Sequence, residues 1–546
     1  MSPTLMTVVL GSFFNPSQAC GGFFCEQVPI GQAAERIVFA IDEEQGEVEV
    51  HVQISYEGAA EDFAWVVPTP TQPRLVKSSQ DLFDRLSPRT MPLWQPTFEV
   101  EGNCKNGGNR LFATADMATA EAAFDDGGTN QAGGVNVVAQ QTIGAFEATT
   151  LQARTSEDLL TYLQDNGFSL PDDLSPALDP YIAEESYFVA LKLRSGADTG
   201  DITPIGLAYP STTPQIPLQL TAIAATPDMR LQPYVLSKAR AVPDNYLHVR
   251  VNQLAIDWLA GGNNYPDVIT RAADEAGGQA FATDFAGPID DAMRVMLDTP
   301  PESQLDNMRK TTGTVAFVNQ LFTIGIQPNT TAVSSILARH ILVPEGVDPV
   351  NYFGCVECFG DPQPTVDADA TVNDLISNWL EPMAHLDELF ESHTYITRMT
   401  SSMSAEEMDA DPLFVLNPDM PDVAQVRTAR IVTECSPAFF EFEAPRRLEL
   451  PDGTFMYLPP SAGTGDFEGF TAELGDVGTI NALFIEDTTS TGAPAVLTDR
   501  SADLDAALEL HNATYGPNGC GGCQQSSPGP MGWLLLPLLG LLRRRD

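Results

Sequence analysis

The residues of this 546-residue chain with the greatest chemical reach are its eight cysteines, at positions 20, 25, 104, 355, 358, 435, 520 and 523. Three close pairs stand out: Cys20-Gly-Gly-Phe-Phe-Cys25, Cys355-Val-Glu-Cys358 and Cys520-Gly-Gly-Cys523. A Cys-x-x-Cys unit can close a small disulfide loop, work as a redox dithiol, or supply half of a zinc site. A redox pair belongs at the start of a helix that follows a strand. Cys355 instead follows Pro349-Val-Asn-Tyr-Phe-Gly354 and leads into the Pro-rich stretch Phe359-Gly-Asp-Pro-Gln-Pro364. Zinc needs two further ligands at matching spacing, and none is adjacent. In an oxidising compartment the balance falls to disulfides, with Cys20–Cys25 and Cys355–Cys358 as local loops and Cys104 with Cys435 as the long-range pair.

Two other clusters carry ligand-type side chains. His385-Leu-Asp-Glu-Leu-Phe-Glu-Ser-His393 brings His385, Glu388 and, one position off, Glu391 near one helical face; a solvated amphipathic helix is the default reading and a metal site the sharper one. Asp409, Asp411, Asn417, Asp419 and Asp422 supply hard oxygens of the kind calcium takes, although the Gly and bidentate Glu spacing of an EF-hand is missing. Calcium is therefore the one cofactor the residue types leave open. The common catalytic signatures are absent. None of the six His is followed by Glu, none of the five Lys follows Gly, and no Gly-x-Ser-x-Gly occurs, so zincin, P-loop and nucleophile-elbow motifs are excluded. Gly463-Thr-Gly465 with Gly469 misses the dinucleotide spacing by one and reads as a surface loop. No catalytic residue can be assigned.

The composition bounds what these groups serve. Asp and Glu number 74 against 28 Lys and Arg, a formal charge of −46, and such a surface repels nucleic acid. At this length the chain exceeds one core, since single cores stop growing at roughly 250–300 residues. Residues 5–14 form an apolar run of signal-peptide length, and Ser17-Gln18-Ala19 sets small residues before a cut after Ala19, although the basic n-region is missing. Lipidation of Cys20 is the alternative, disfavoured because Ser17 stands where Leu is usual. At the other end, a Gln/Ser/Pro/Gly spacer after Cys523 leads to the apolar run 531–542 and then Arg543-Arg544-Arg545-Asp546. Twelve apolar residues are short for a bilayer core that takes about 20, and the arginines would hold the end in the cytoplasm.

Between the ends the pattern predicts an α+β protein: a signal peptide over 1–19, a strand-rich domain over 20–245, a mainly helical region over 246–410 and a β/loop region over 411–516. A Cys-containing spacer over 517–530 and a sorting tail over 531–546 complete the division. Val48, Val50, Val52, Ile54 and Tyr56 alternate with Glu49, His51, Gln53 and Ser55, the period of a strand with one buried face, which leaves His51 on the solvated side. Further strands are predicted over 36–41, 63–67, 135–139, 146–151, 187–193, 216–223, 234–238 and 427–432. Residues 104–134 read as a flexible excursion and 460–516 as loose. Thr155 caps a helix that Asn166-Gly167 stops; residues 252–342 and 372–390 read as helical; Pro451-Asp-Gly453 turns a hairpin over 447–457.

Five pieces make the chain resemble the domain-of-unknown-function 2330 family over roughly residues 20–435: Cys20-Gly-Gly-Phe-Phe-Cys25, Glu61-Asp-Phe-Ala-Trp-Val-Val-Pro-Thr-Pro70, Leu159-Leu-Thr-Tyr-Leu-Gln-Asp-Asn-Gly-Phe168 with Leu178-Asp-Pro-Tyr-Ile182, Tyr187-Phe-Val-Ala-Leu-Lys192, and Tyr395-Ile-Thr-Arg398 leading to Asp411-Pro-Leu-Phe414. These are strand, turn and cap sequences, and the resemblance implies no activity. The tail resembles the MYXO-CTERM sorting signal of myxobacterial surface proteins through Cys520 or Cys523, the apolar run and Arg543, Arg544 and Arg545. That resemblance implies an envelope sorting protease as partner, transient insertion of the tail in the membrane, and display outside the cell. The expectation is an exported surface protein with a structural or binding role; the rival is an exported hydrolase whose active site assembles from residues far apart in sequence.

Overall fold

The computed structural model describes residues 32–53, 64–105, 135–144, 146–168, 174–194, 203–291, 293, 299–359 and 365–517. Ala19, Cys20, Cys25, most of the 104–134 stretch, Cys520, Cys523 and the tail with Arg543, Arg544 and Arg545 lie outside the described residues.

Gln32–Asp42, with its Ile-Val-Phe-Ala-Ile run, and Ala225–Ser237, with Tyr-Val-Leu, pair in parallel and form the middle of a ten-stranded sheet. In spatial order it runs Ala495–Asp499, Ala482–Asp487, Leu247–Val251, Ala280–Pro288, Tyr395–Met403, Ala225–Ser237, Gln32–Asp42, Glu47–Gln53, Ile205–Pro210 and Arg74–Val76. The segments read from sequence as a strand-rich domain, a helical region and a β/loop region all contribute strands to it.

Both faces of this sheet are covered. Val38, Ala40, Tyr234, Leu236 and Ile396 point into a helical layer that includes Leu82, Phe83, Phe317, Ile336, Leu375, Leu386 and Phe390. Ile37, Phe39, Val48, Val50, Val52, Leu207 and Val235 point the other way, onto Trp65, Val67, Phe146, Val189 and Leu191 of a four-stranded sheet (Ala64–Thr69, Tyr187–Leu193, Phe146–Ala153, Val135–Ile143). That second sheet is backed by the Ser156–Asp165 and Ser175–Ala183 helices through Leu159, Leu163 and Leu178. Thr155 caps the first of these helices by accepting from the Asp158 N–H, and Gly167 leaves it at φ +70°.

Two-sided cover corrects the reading of the 48–56 alternation. Its strand is Glu47–Gln53, and Glu49 and His51 are buried as fully as the valines between them. The Glu381–Ser392 helix lies over that face, and its His385 Nε2 meets the Glu49 carboxylate, as does His51 Nε2 at 3.0 Å. Three further stretches differ from expectation. Residues 280–288, inside the predicted helical block, form an inner strand of the main sheet. Residues 216–223 hold a one-turn helix, Leu218–Thr221, entered at Pro217. Residues 460–516 are built from the Phe467–Leu474 and Ser501–Tyr515 helices and the last two strands at one end of the main sheet.

A further lobe pairs Phe455–Tyr457, Arg446–Glu449, Val426–Cys435 and Leu93–Gly102 into a small sheet around Trp94, Trp258, Ile431, Leu448 and Leu508. The parallel register sets Gly102 opposite Cys435, and the Cys104–Cys435 disulfide closes that end. A second disulfide joins Cys355 and Cys358 just after the Pro349–Gly354 helix.

Candidate functional site

Where the small lobe meets the main sheet, two clefts open on either side of a wall formed by Trp94 and Tyr265, whose rings lie 5.5 Å apart. The larger encloses about 680 Å³. Its apolar walls come from Val249, Val251, Leu450, Leu483 and Leu504 and its floor from four polar side chains. Strand register builds that floor: His248 on Leu247–Val251 sits opposite Glu486 on Ala482–Asp487, and Thr283 comes from the neighbouring Ala280–Pro288. His248 Nδ1 lies 3.0 Å from Glu486 Oε2, and His248 Nε2 lies 3.0 Å from Thr283 Oγ1. Arg240 donates to the same Thr283 oxygen at 3.0 Å and to the Pro421 carbonyl at 2.8 Å. Arg250 donates to the other Glu486 oxygen at 3.2 Å and stacks on Phe484.

Burial and hydrogen bonding set the charges. Burial depresses the His248 pKa, so the imidazole is neutral at pH 7. Burial works to raise Glu486, but the hydrogen bonds from His248 and Arg250 and the Arg250 charge outweigh it and hold the carboxyl below its ordinary range. A neutral His248 that donates Nδ1–H to an ionised Glu486 meets both conditions. Its Nε2 then accepts the Thr283 hydroxyl, and the chain runs Arg240 to Thr283 to His248 to Glu486. A carboxylate, imidazole and hydroxyl in this order resemble a nucleophile relay. The Arg240 N–H, however, takes a lone pair on Thr283 that nucleophilic attack would use.

The smaller cleft, about 360 Å³, has a β-bulge at its base. Ala282 pairs with Thr400 and Thr283 with Met399, but Phe285 pairs with Arg398, so Asp284 is the extra residue and turns into the cleft wall. It is 1% exposed. Tyr265 donates to its Oδ1 at 2.6 Å, Thr400 donates to Oδ2, and Arg398 Nε stands 3.0 Å from Oδ2, close enough for an ion pair but out of line for a hydrogen bond. Burial, with the Asp284 charge beside it, pushes Tyr265 well above its ordinary value and keeps it a donor. The Arg427 guanidinium caps the Asp284 carbonyl at 2.8 Å. Gly262 closes the cleft at φ +75°, where a Cβ would fall 1.9 Å from Trp94 Cδ1, so only glycine lets this loop seat on the ring.

The residues singled out from sequence have other tasks. Asp411 receives Tyr181, Gln215 and the Gln219 N–H; Asn417 holds the Thr489 and Gly492 carbonyls; Asp419 takes the Gly492 N–H at 2.7 Å; Asp409 takes Gln279. These oxygens pin loops together. His385 turns inward to Glu49 and away from Glu388 and Glu391, which are exposed. Among the described residues no group of three His, Cys, Asp or Glu is arranged to hold a metal ion. The structure pairs Cys104 with Cys435 and Cys355 with Cys358. The hydrogen-bonded floor of the larger cleft escaped sequence reasoning because its separations, 35 residues for His248 to Thr283 and 238 for His248 to Glu486, carry no motif. Among the lining residues, Arg398 sat in the quoted piece Tyr395-Ile-Thr-Arg398, and Asp419 and Asp422, singled out as oxygen ligands, fall on the rim of the larger cleft.

The architecture is that of an α+β protein with two adjoining polar-floored clefts. The family described as an uncharacterized protein conserved in bacteria, DUF2330, matches residues 15–302, more than half of the chain, and the chain belongs to that family. Arg240, His248, Tyr265, Thr283 and Asp284 fall inside the matched span, whereas Arg398 and Glu486 fall beyond it. No curated protein and no solved structure matches the chain.

Proposed function

We propose that this is an exported, non-enzymatic binding protein that takes a mostly apolar small molecule into the larger cleft. The observation that carries the reading is a preformed cleft of about 680 Å³ whose apolar walls converge on a hydrogen-bonded polar floor. Such a volume lies in the range of small-molecule pockets, which pair apolar walls with a few fixed polar groups. Arg240 lines the cleft, is 4% exposed, and is fixed there by its bonds to Thr283 and the Pro421 carbonyl, so the floor carries a positive charge that suits an acceptor on the ligand.

Thermal-shift screening of the full chain against a library of small apolar molecules bearing one acceptor tests the reading. A ligand at 100 times its Kd adds about 2.7 kcal/mol of stability. Leu450→Trp, which fills the cleft, is expected to weaken the best ligand at least tenfold while leaving the unliganded melting temperature in place. An empty screen, or ligands that bind Leu450→Trp unchanged, would overturn it.

The relay through Thr283, His248 and Glu486 favours a second reading, a hydrolase. Its mark would be turnover of a chromogenic ester that Thr283→Val abolishes; binding without turnover supports the first reading.

Two disulfides support export, because such bonds persist in oxidising compartments. With them we propose that the tail is a MYXO-CTERM-like sorting signal, cut near Cys520 or Cys523 by an envelope protease after Arg543, Arg544 and Arg545 halt translocation. Among the described residues no helix is long and apolar enough to cross a membrane. Mass spectrometry of surface protein is expected to find no Arg-Arg-Arg-Asp terminus. Recovery of that terminus intact would refute processing.

A further inference from the structure

We propose that the smaller cleft is a separate binding site for a small organic monocarboxylate. It lies on the far side of the Trp94–Tyr265 wall from the larger cleft and does not depend on the reading given to that one.

The cleft floor is one face of two paired strands. Arg230 stands opposite Ser402 and Tyr234 opposite Arg398, so Arg230, Gln232, Arg398, Thr400 and Ser402 share the side that lines the cavity. Arg398 is 4% exposed and rigidly held, with Nη1 donating to the Ser87 carbonyl at 3.1 Å and Thr90 Oγ1 at 3.4 Å. Its Nε faces Asp284, and its Nη2 has no partner among the described residues. Arg230 is exposed and makes no hydrogen bond or ion pair among the described residues. Elsewhere in the chain Arg74, Arg85, Arg250, Arg430, Arg447 and Arg500 meet carboxylates, whereas the Arg230 guanidinium stands open to an incoming one.

The charge balance selects the ligand. Among the described residues lining the cleft, Asp284 is the one carboxylate, and Arg230 and Arg398 are the cations, which leaves a local excess of one positive charge. Asp284 does not repel an incoming anion strongly, because Tyr265, Thr400 and Arg398 surround its oxygens. The Arg230 fork matches one planar carboxylate, with Arg398 Nη2 as a third donor. Met91, Pro92, Pro266 and Ile269 line the rest of the cavity and suit a short carbon skeleton rather than a bare inorganic ion. A cavity of about 360 Å³ limits the ligand to roughly the size of benzoate or hexanoate.

Calorimetric titration of the full chain with benzoate, benzamide and inorganic phosphate tests this. Benzoate is expected to bind at least tenfold more tightly than either of the others and to weaken as salt rises. Arg230→Gln, at an exposed and unpaired position, is expected to lower benzoate affinity at least tenfold with an unchanged melting temperature. Leu450→Trp, in the other cleft, is expected to leave benzoate binding intact. Undetectable benzoate binding, equal binding of benzamide, tighter binding of phosphate, or an Arg230→Gln protein that binds as before would each overturn the proposal. Benzoate binding lost in Leu450→Trp and kept in Arg230→Gln would place the carboxylate in the larger cleft and overturn it as well.

Discussion

Removing the Cys104–Cys435 disulfide is expected to cost far more stability than removing Cys355–Cys358, and the size of the gap follows from chain topology. The first bond closes a loop with a sequence separation of 331 and the second one with a separation of 3. In the chain-entropy model the unfolded ensemble loses about 6 kcal/mol of freedom to the long loop and about 2 kcal/mol to the short one, so the two should differ by about 4 kcal/mol. Position adds to length. Cys104 and Cys435 hold the ends of Leu93–Gly102 and Val426–Cys435, parallel strands that no short connection brings together. Cys355 and Cys358 are both exposed and span a single turn that backbone hydrogen bonds already close, with Cys358 N donating to the Cys355 carbonyl at 2.9 Å. The assay is urea unfolding of the Cys104→Ala/Cys435→Ala and Cys355→Ala/Cys358→Ala double variants. Tryptophan fluorescence reports on the lobe, since Trp94 and Trp258 sit in its core with ring centres 4.9 Å apart. Equal losses, or a larger loss from the Cys355/Cys358 pair, would refute the entropic argument.

Three other outcomes can be checked. The Glu49 hydrogen bond raises the His385 pKa above its ordinary 6.5, so that contribution is whole below pH 6.5 and fades as pH climbs through the raised value; Glu49 is held below its ordinary 4.5 despite burial, so its contribution is lost only as pH falls through that lowered value. Unfolding free energy measured against pH should therefore decline above pH 6.5 more steeply in the native chain than in His385→Gln, and parallel curves would refute the coupling. Val52→Asp places an unpaired charge at a 7% exposed position and is expected to cost on the order of 4 kcal/mol in denaturant midpoint analysis, whereas Gln53→Asp, half-buried at the strand end, should stay within about 0.5 kcal/mol. Gly262→Ala forces a Cβ against Trp94 and should destabilise by about 3 kcal/mol, while Gly261→Ala, at φ +66° with open space around it, should cost only about 1 kcal/mol of backbone strain; equal effects by thermal unfolding would show that the ring contact is unimportant.

Local signals in the sequence were legible wherever one residue type answers one geometric need. Thr155 and Gly167 bound their helix because a hydroxyl caps orphan N–H groups and glycine tolerates positive φ. Gly453, at φ +90°, turns the Pro451-Asp-Gly453 hairpin for the same reason. The reading failed where tertiary cover overrides periodicity. Glu49 and His51 look solvent-facing by alternation, yet the Glu381–Ser392 helix buries them, and each becomes the other's hydrogen-bond partner. Ala280–Pro288 falls within the 252–342 stretch read as helical, yet it lies between Leu247–Val251 and Tyr395–Met403, where small side chains pack against both layers of a sheet buried on two faces.

The two clefts were illegible for a related reason. Their polar groups are delivered by strand register, and register depends on pairings made across the whole chain. His248 meets Glu486 because Leu247–Val251 and Ala482–Asp487 run antiparallel at a particular offset; a shift of one residue would turn His248 to the opposite face. Asp284 is the extra residue bulged between Thr283 and Phe285 beside Arg398, and nothing in Ala-Thr-Asp-Phe marks a bulge before the partner strand is known. Two adjacent residues of one strand, Thr283 and Asp284, thus serve different clefts on either side of Trp94 and Tyr265. The bulge separates the two sites as well as building the second. Deleting Asp284 itself would close the bulge with Phe285 still opposite Arg398, leave Arg398 without its counter-ion, and change the smaller cleft while leaving the His248–Glu486 cross-strand pair in register.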